Sequence, residues 1–187
     1  MLGALIQKPF ATPESFDWDK HPAQLRAASR ALDAPANLRR FFARGGKLIL
    51  WHGWADAAIP PEATLRYHAD MLRASGQRAG DAVRLFMVPG VQHCAGGTGP
   101  DAFGQSGAPQ PGDSAGRSMV AALQDWTEGK RAAPEEFVGR RGHGDMMRMM
   151  GAAPSGPERQ RLLCAWPRRE VLKSGGDPDK AASYDCQ

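Results

Sequence analysis

Two uninterrupted apolar runs, with a helical pattern between them, constrain this chain more than any other feature. Leu48-Ile49-Leu50-Trp51 and Val83 to Val88 offer apolar side chains to both faces. That pattern fits parallel strands covered on two sides, not strands with one wet face. From about Glu62 to Ser75 the spacing is helical, with Leu65, Tyr67, His68, Met71 and Leu72 available for packing. Pro60-Pro61 pre-sets its start and Gly76 its stop. Strand, helix, strand in that order predicts a βαβ unit of a parallel sheet, and hence the α/β class.

The flanking sequence is less regular. Residues 1–20 read as an irregular lead-in ending in Phe16-Asp17-Trp18-Asp19. Leu25, Ala28 and Leu32 predict a helix from Pro22 to Leu32. A short helix from Asn37 to Ala43 follows, with Asn37 as candidate N-cap and Gly45-Gly46 as its end. Gly96 to Gly112 is a Gly/Pro-rich loop. Ser114 to Glu128 returns to helical spacing through Met119, Val120, Leu123 and Trp126, and Gly129 ends it. After Pro134 periodicity weakens, leaving one short strand near Glu136 to Val138, a linker over Gly142 to Pro157 and a tail without a clear period. The expected organisation is one partial domain over 1–187: lead-in 1–20, βαβ core portion 21–130, flexible linker 131–160, and tail 161–187 bracketed by cysteines. Two or three strands leave an open edge, so the isolated chain is expected to be marginally stable or to associate.

Composition narrows the function classes. The net charge of +4 comes mainly from the C-terminal third, where Arg140, Arg141, Arg148, Arg159, Arg161, Arg168, Arg169 and Lys173 lie in Gly- and Pro-broken sequence with few aromatics. Nucleic-acid binding would interleave such charges with stacking rings, so a solvated basic surface is expected and no nucleic-acid partner. No run approaches the roughly 20 apolar residues of a membrane span. The Met1 to Pro9 segment lacks the basic start and apolar length of a signal peptide. Of three cysteines, Cys164 and Cys186 can pair and leave Cys94 alone, or all three can be free thiols.

Chemistry concentrates past the two apolar runs. Asp56 closes His52-Gly53-Trp54-Ala55-Asp56, and His93 follows Val88-Pro89-Gly90-Val91-Gln92. Catalytic groups of open α/β sheets gather where strands end, because the loops there converge over a crevice. A carboxylate that orients an imidazole is two thirds of a Ser…Asp…His triad in α/β-hydrolase order. The serines upstream, Ser15 and Ser29, lack a preceding strand and flanking glycines. Gly112-Asp113-Ser114-Ala115-Gly116 matches G-x-S-x-G in letters but has no strand before it, so Asp113 or Ser114 reads better as a helix cap. His52 reads as a loop residue, His68 as a helix-surface residue, and His143 as part of the linker beside the Met146 to Met150 cluster.

In combination, Gly45-Gly46-Lys47-Leu48, His52 to Asp56, Arg84 to Gly90 with His93-Cys94, Gly96-Gly97, Asp125-Trp126-Thr127-Glu128-Gly129 and the Leu163-to-Cys186 tail resemble the tannase and feruloyl esterase family. The resemblance covers most of Asp17 to Cys186 and implies an α/β-hydrolase fold cleaving esters of aromatic acids. It implies Asp56 as orienting acid and His93 as general base. It further implies that Cys164 pairs with Cys186, and that Cys94 pairs with a cysteine just before the nucleophilic serine. Val91-Gln92 stands where the family has Met-Gly. Nothing before Asp56 matches the family's Cys-Ser-x-Gly-Gly turn, nor its lid with a calcium site. The chain is thus expected to be the C-terminal portion of such a hydrolase, without cofactor of its own and inactive alone. Its partners would be an aromatic acyl ester and the N-terminal part, in a secreted or periplasmic setting. The alternatives are a non-catalytic structural or interaction remnant of the scaffold, and a complete enzyme using Ser114.

Overall fold

A computed structural model describes residues 12–105, 116, 118–141 and 159–187. The chain forms two compact units, Met1–Pro35 and Ala36–Gln187. In the first, helix α1 (His21–Leu32) follows a single 3-10 turn at Pro13–Ser15. Pro22 lies in its first turn, and the His21 Nδ1 accepts the Asp17 amide at 2.9 Å.

The second unit opens with α2 (Arg39–Ala43), two residues shorter at its start than the spacing predicts. Asn37 still serves the helix, since its Oδ1 accepts the Arg39 amide at 3.2 Å. Then come β1 (Leu48–Gly53), α3 (Pro61–Ser75), α4 (Arg78–Ala82) and β2 (Val83–Val88). The predicted βαβ unit is present, with β1 and β2 parallel in register from Leu48 opposite Val83 to Gly53 opposite Val88. Pleat alternation splits the apolar runs between two cores. Leu48, Leu50 and Val83 pack with Phe42, Met71 and Ala82 on the α3 side. Ile49, Trp51, Phe86 and Val88 pack with Phe103, Met119, Phe137 and Leu163 on the other. Both faces of the pair are covered, as continuous apolar strands require. Among the described residues β1 has no second strand neighbour.

Helix α5 spans Met119–Thr127. Its N-cap is Ser118, whose buried Oγ accepts the Ala121 amide at 3.2 Å. The helix therefore starts five residues later than expected, and Asp113 and Ser114 lie outside the described residues.

The short strand expected near Glu136 to Val138 is present and runs on to Arg141. A further strand begins at Arg159, inside the stretch 131–160 expected as linker, and residues 142–158 lie outside the described ones. Strand β3 (Glu136–Arg141) pairs antiparallel with β4 (Arg159–Cys164), Phe137 opposite Leu163. Both of these side chains are fully buried in the core beside β2. The pairing partner is remote in sequence, so local periodicity carried no sign of it. Beyond β4, Ala165 bridges Phe86 and the Trp166 amide donates to the Leu85 carbonyl at 2.8 Å, covering the outer edge of β2. The tail is ordered too: β5 (Glu170–Leu172) and β6 (Tyr184–Cys186) pair antiparallel. Strands of three residues are too short for a period of two to be legible.

Candidate active site

Beyond β1 and β2 the chain makes two loops that are tied to each other before either reaches a polar side chain. The Trp54 amide donates to the Val88 carbonyl at 2.8 Å, and the Ala55 amide to the Val91 carbonyl at 3.0 Å. Val91 is fully buried and bridges Gly97, which anchors the second loop in the core. At its stem Gly90, with φ +68°, offers its carbonyl to the amides of Thr98 and Gly99 at 2.9 and 3.1 Å. Buried Asp101 accepts the Gly96 amide at 3.2 Å through Oδ2. His93 stands near the tip of this closed loop. The next residue, Cys94, has φ +65°, a conformation that L side chains seldom adopt.

The two loops bring Asp56 and His93 together. His93 Nδ1 lies 2.9 Å from Asp56 Oδ2. The carboxylate's other oxygen accepts the amides of Ala58 at 2.8 Å and Ile59 at 3.0 Å. The Asp56 side chain is 4% exposed, whereas that of His93 is 52% exposed. A buried anion facing a solvent-accessible imidazole is the arrangement that holds one ring tautomer and leaves the other nitrogen available. The Ile59 amide, opposed by burial and joined by His93 and the Ala58 amide, holds the Asp56 carboxyl well below the usual carboxylate range. Asp56 is thus an anion with filled acceptor sites.

His52 belongs to the same constellation, which corrects its reading as a loop residue. It is the last but one residue of β1 and alternates with Leu48 and Leu50 toward the α3 face. Its Nε2 lies 3.1 Å from Asp56 Oδ2 and 3.1 Å from the Ile59 carbonyl. Both neighbours are acceptors, so this nitrogen carries the proton. Its Nδ1 then accepts from the Thr64 hydroxyl, 2.6 Å away on the first turn of α3. The side chain is 11% exposed. Counting by two from Leu48 would have found it; the Trp-His-Gly sequence, which looks like a strand giving way to a turn, hid it.

Other candidates fall elsewhere. Among the described residues no serine hydroxyl hydrogen-bonds His93. Ser15 and Ser29 are engaged locally in the first unit, with Thr12 and Asp33 respectively. Ser114 and His143 lie outside the described residues. His68 on α3 is partly buried at the surface, and desolvation lowers its pKa. Cys164 and Cys186 form a disulfide, Cα to Cα 5.6 Å, that ties β4 to β6. Cys94 is a free, exposed thiol. Among the described residues no three His, Cys, Asp or Glu side chains converge as a metal donor set, and no helix is long and apolar enough to cross a membrane.

Comparison with known proteins gives these loops a context. The chain is 31% identical over 195 residues to an uncharacterized esterase of Xanthomonas campestris, covering 94% of this chain and 33% of that protein. It is 32% identical over 180 residues to mono(2-hydroxyethyl) terephthalate hydrolase of Piscinibacter sakaiensis, covering 91% of this chain and 26% of that enzyme. The chain therefore spans about a quarter to a third of the length of these relatives. Its fold resembles the crystal structure of feruloyl esterase B from Aspergillus oryzae, with a TM-score of 0.77 at 21% identity over 98% of this chain and 35% of that one. The sequence profile described as tannase and feruloyl esterase matches residues 7–187, and the chain belongs to that family.

Proposed function

We propose that this chain carries the acid and base of a carboxylic-ester hydrolase, acting on a serine hydroxyl from a preceding segment of polypeptide. The observation that carries the reading is the 2.9 Å hydrogen bond from His93 Nδ1 to buried Asp56. With its Nδ1 proton committed there, His93 keeps a lone pair on Nε2, which has no partner among the described residues. In the complete enzyme Nε2 takes the serine proton as the hydroxyl oxygen attacks the ester carbonyl. Asp56 stabilises the imidazolium that results, and the same proton passes to the departing alcohol. A water molecule, deprotonated in turn by His93, then releases the acid and restores the serine.

His52 serves as a positioning residue in this scheme. By donating to Oδ2 it fixes the carboxylate rotamer that meets His93, and Thr64 fixes His52. Esters of aromatic acids are the proposed substrates, since the proteins this chain resembles include a mono(2-hydroxyethyl) terephthalate hydrolase and a feruloyl esterase. The Cys164–Cys186 disulfide favours an oxidising compartment, so the proposed location is outside the cytoplasm. Any calcium site of the whole enzyme belongs, in this reading, to the preceding segment.

Two experiments test the reading. The 187-residue chain alone should not hydrolyse p-nitrophenyl butyrate; turnover that Ser114→Ala abolishes would overturn the proposal. Fused behind the N-terminal two thirds of the Xanthomonas campestris relative, the chain should support turnover that His93→Ala removes. Asp56→Asn should lower it by roughly 10⁴-fold, as a wrong tautomer does in such triads. An Asp56→Asn fusion within a few-fold of its parent would refute the role of the carboxylate.

A further inference from the structure

Three arginines of the β3–β4 pair stand on one face of that sheet. Arg141 is directly opposite Arg159, and Arg161 lies two residues further along β4. Arg161 has Gly139 opposite, where an added Cβ would come within 2.9 Å of Pro100. The same face therefore packs close to the stem of the His93 loop. Pro89-Gly90 and Thr98 to Pro100 from that stem, the three arginines and Asp179 line a concavity of about 160 Å³. At Gly99 a Cβ would lie 1.8 Å from the Pro89 carbonyl, so no side chain larger than hydrogen fits at that position.

The charges in this concavity do not balance. Like charges directly opposite each other on a strand pair destabilise it. Arg159 has Asp179 at 3.4 Å, while Arg161 donates to the Pro178 carbonyl and stacks 4.9 Å over the Tyr184 ring. Arg141 has no partner among the described residues. Arg159 thus has Asp179, and Arg161 has the carboxylate of Glu170 outside the concavity, which leaves the positive charge of Arg141 facing a space that holds only a few heavy atoms. An anion with two or three oxygens would relieve the Arg141–Arg159 repulsion and accept the forked N–H groups that arginine presents.

We infer that this concavity binds a small oxyanion, a phosphate or a carboxylate, between Arg141, Arg159 and Arg161. The inference is independent of the hydrolase reading. It also revises the expectation that the basic surplus of the C-terminal third is only a solvated surface. Because Gly90 and Gly99 belong to the stem of the loop carrying His93, an anion here also braces that loop.

The full chain titrated calorimetrically with inorganic phosphate, and separately with benzoate, against chloride at constant ionic strength tests this. Saturable one-to-one binding of either anion is expected, and the anion that saturates identifies the source. Arg141→Gln and Arg159→Gln should each weaken it by roughly tenfold, the worth of one charged hydrogen bond. Arg131→Gln, whose arginine pairs with Asp125 instead, should leave it unchanged. Asp179→Asn removes the competing carboxylate and should tighten binding. If neither anion saturates, or Arg141→Gln binds as the parent does, the site does not exist. If Asp179→Asn weakens binding, the arginines serve the fold and not a ligand. Arg141 has no side-chain partner among the described residues, so its substitution should leave the β3–β4 pair intact, which circular dichroism of the variant checks.

Discussion

The α-carbon of Gly53 lies so near the Val91 carbonyl that a Cβ built on it would come within 2.1 Å of that oxygen. Gly53 is the last residue of β1 and Val91 the buried anchor of the His93 loop. The close approach is what lets the Ala55 amide reach Val91 and sets Asp56 within reach of His93. Gly53→Ala must push the two loops apart. We expect a loss of about 1–3 kcal/mol in urea denaturation, the usual cost of overpacking. The low-field proton resonance of the His93–Asp56 hydrogen bond should disappear with it. A variant as stable as its parent and keeping that resonance would contradict the account.

The two imidazoles that share Asp56 should be opposite tautomers when neutral. His52 must carry its proton on Nε2, which faces two acceptors, and His93 on Nδ1, which faces the carboxylate. Long-range ¹⁵N–¹H correlation spectra distinguish the two forms directly. Thr64→Val leaves the buried His52 Nδ1 without a donor and should cost about 1–3 kcal/mol. It should also disturb the His93 signal through Asp56, whereas a purely local role for Thr64 would leave it unmoved.

Asp56 gives acid sensitivity a definite sign. Its folded pKa lies below the ordinary value, held there first by the Ile59 amide. The unfolded chain therefore binds more protons than the folded one below roughly pH 5. The stability Asp56 contributes is complete above its unfolded value, about 3.9, and is lost as pH falls toward the depressed folded value. Asp56→Asn should flatten the acid limb of a plot of denaturation midpoint against pH. Glu170 runs the other way, since burial raises its pKa. What it contributes is present below its unfolded value and is lost as pH rises through the folded one, so Glu170→Gln should remove a decline just above pH 4.5.

The disulfide closes 22 residues of chain around β5 and β6. Its removal by Cys164→Ala with Cys186→Ala should cost roughly 3 kcal/mol and loosen the tail. Peptide mapping without reductant should find Cys164 joined to Cys186. Under the same conditions Cys94, exposed and unpaired, should take up one equivalent of a thiol reagent. Two or more reactive thiols in the native chain would overturn the pairing.

An apolar parallel strand with a neighbour on one side only invites association. Among the described residues β1 pairs with β2 alone, and Leu48 to His52 are only partly buried. Sedimentation velocity on the isolated chain should show concentration-dependent oligomers. A monodisperse monomer with a sharp, cooperative melt would count against an open edge.

Some of this protein was fixed by local chemistry. Continuous apolar runs, a helical spacing and glycine stops determine the βαβ unit, because burial on two faces and chain punctuation act within a few residues. Asp56 and His93 were legible for the same reason: each follows a strand end by a short count. The β3–β4 ladder was not, since Phe137 finds Leu163 across a long stretch of chain, and a hydrogen bond between distant strands leaves no local period. His52 was half legible, its alternation with Leu48 and Leu50 visible but its purpose not. Only the folded loops bring its Nε2 to the oxygen that His93 also holds, and only the register of β3 against β4 sets Arg141 opposite Arg159. Sequence dictates what each residue can donate, accept or bury; which groups compete for one carboxylate or crowd one concavity is settled by backbone approach, down to the hydrogen atom that Gly53 carries in place of a side chain.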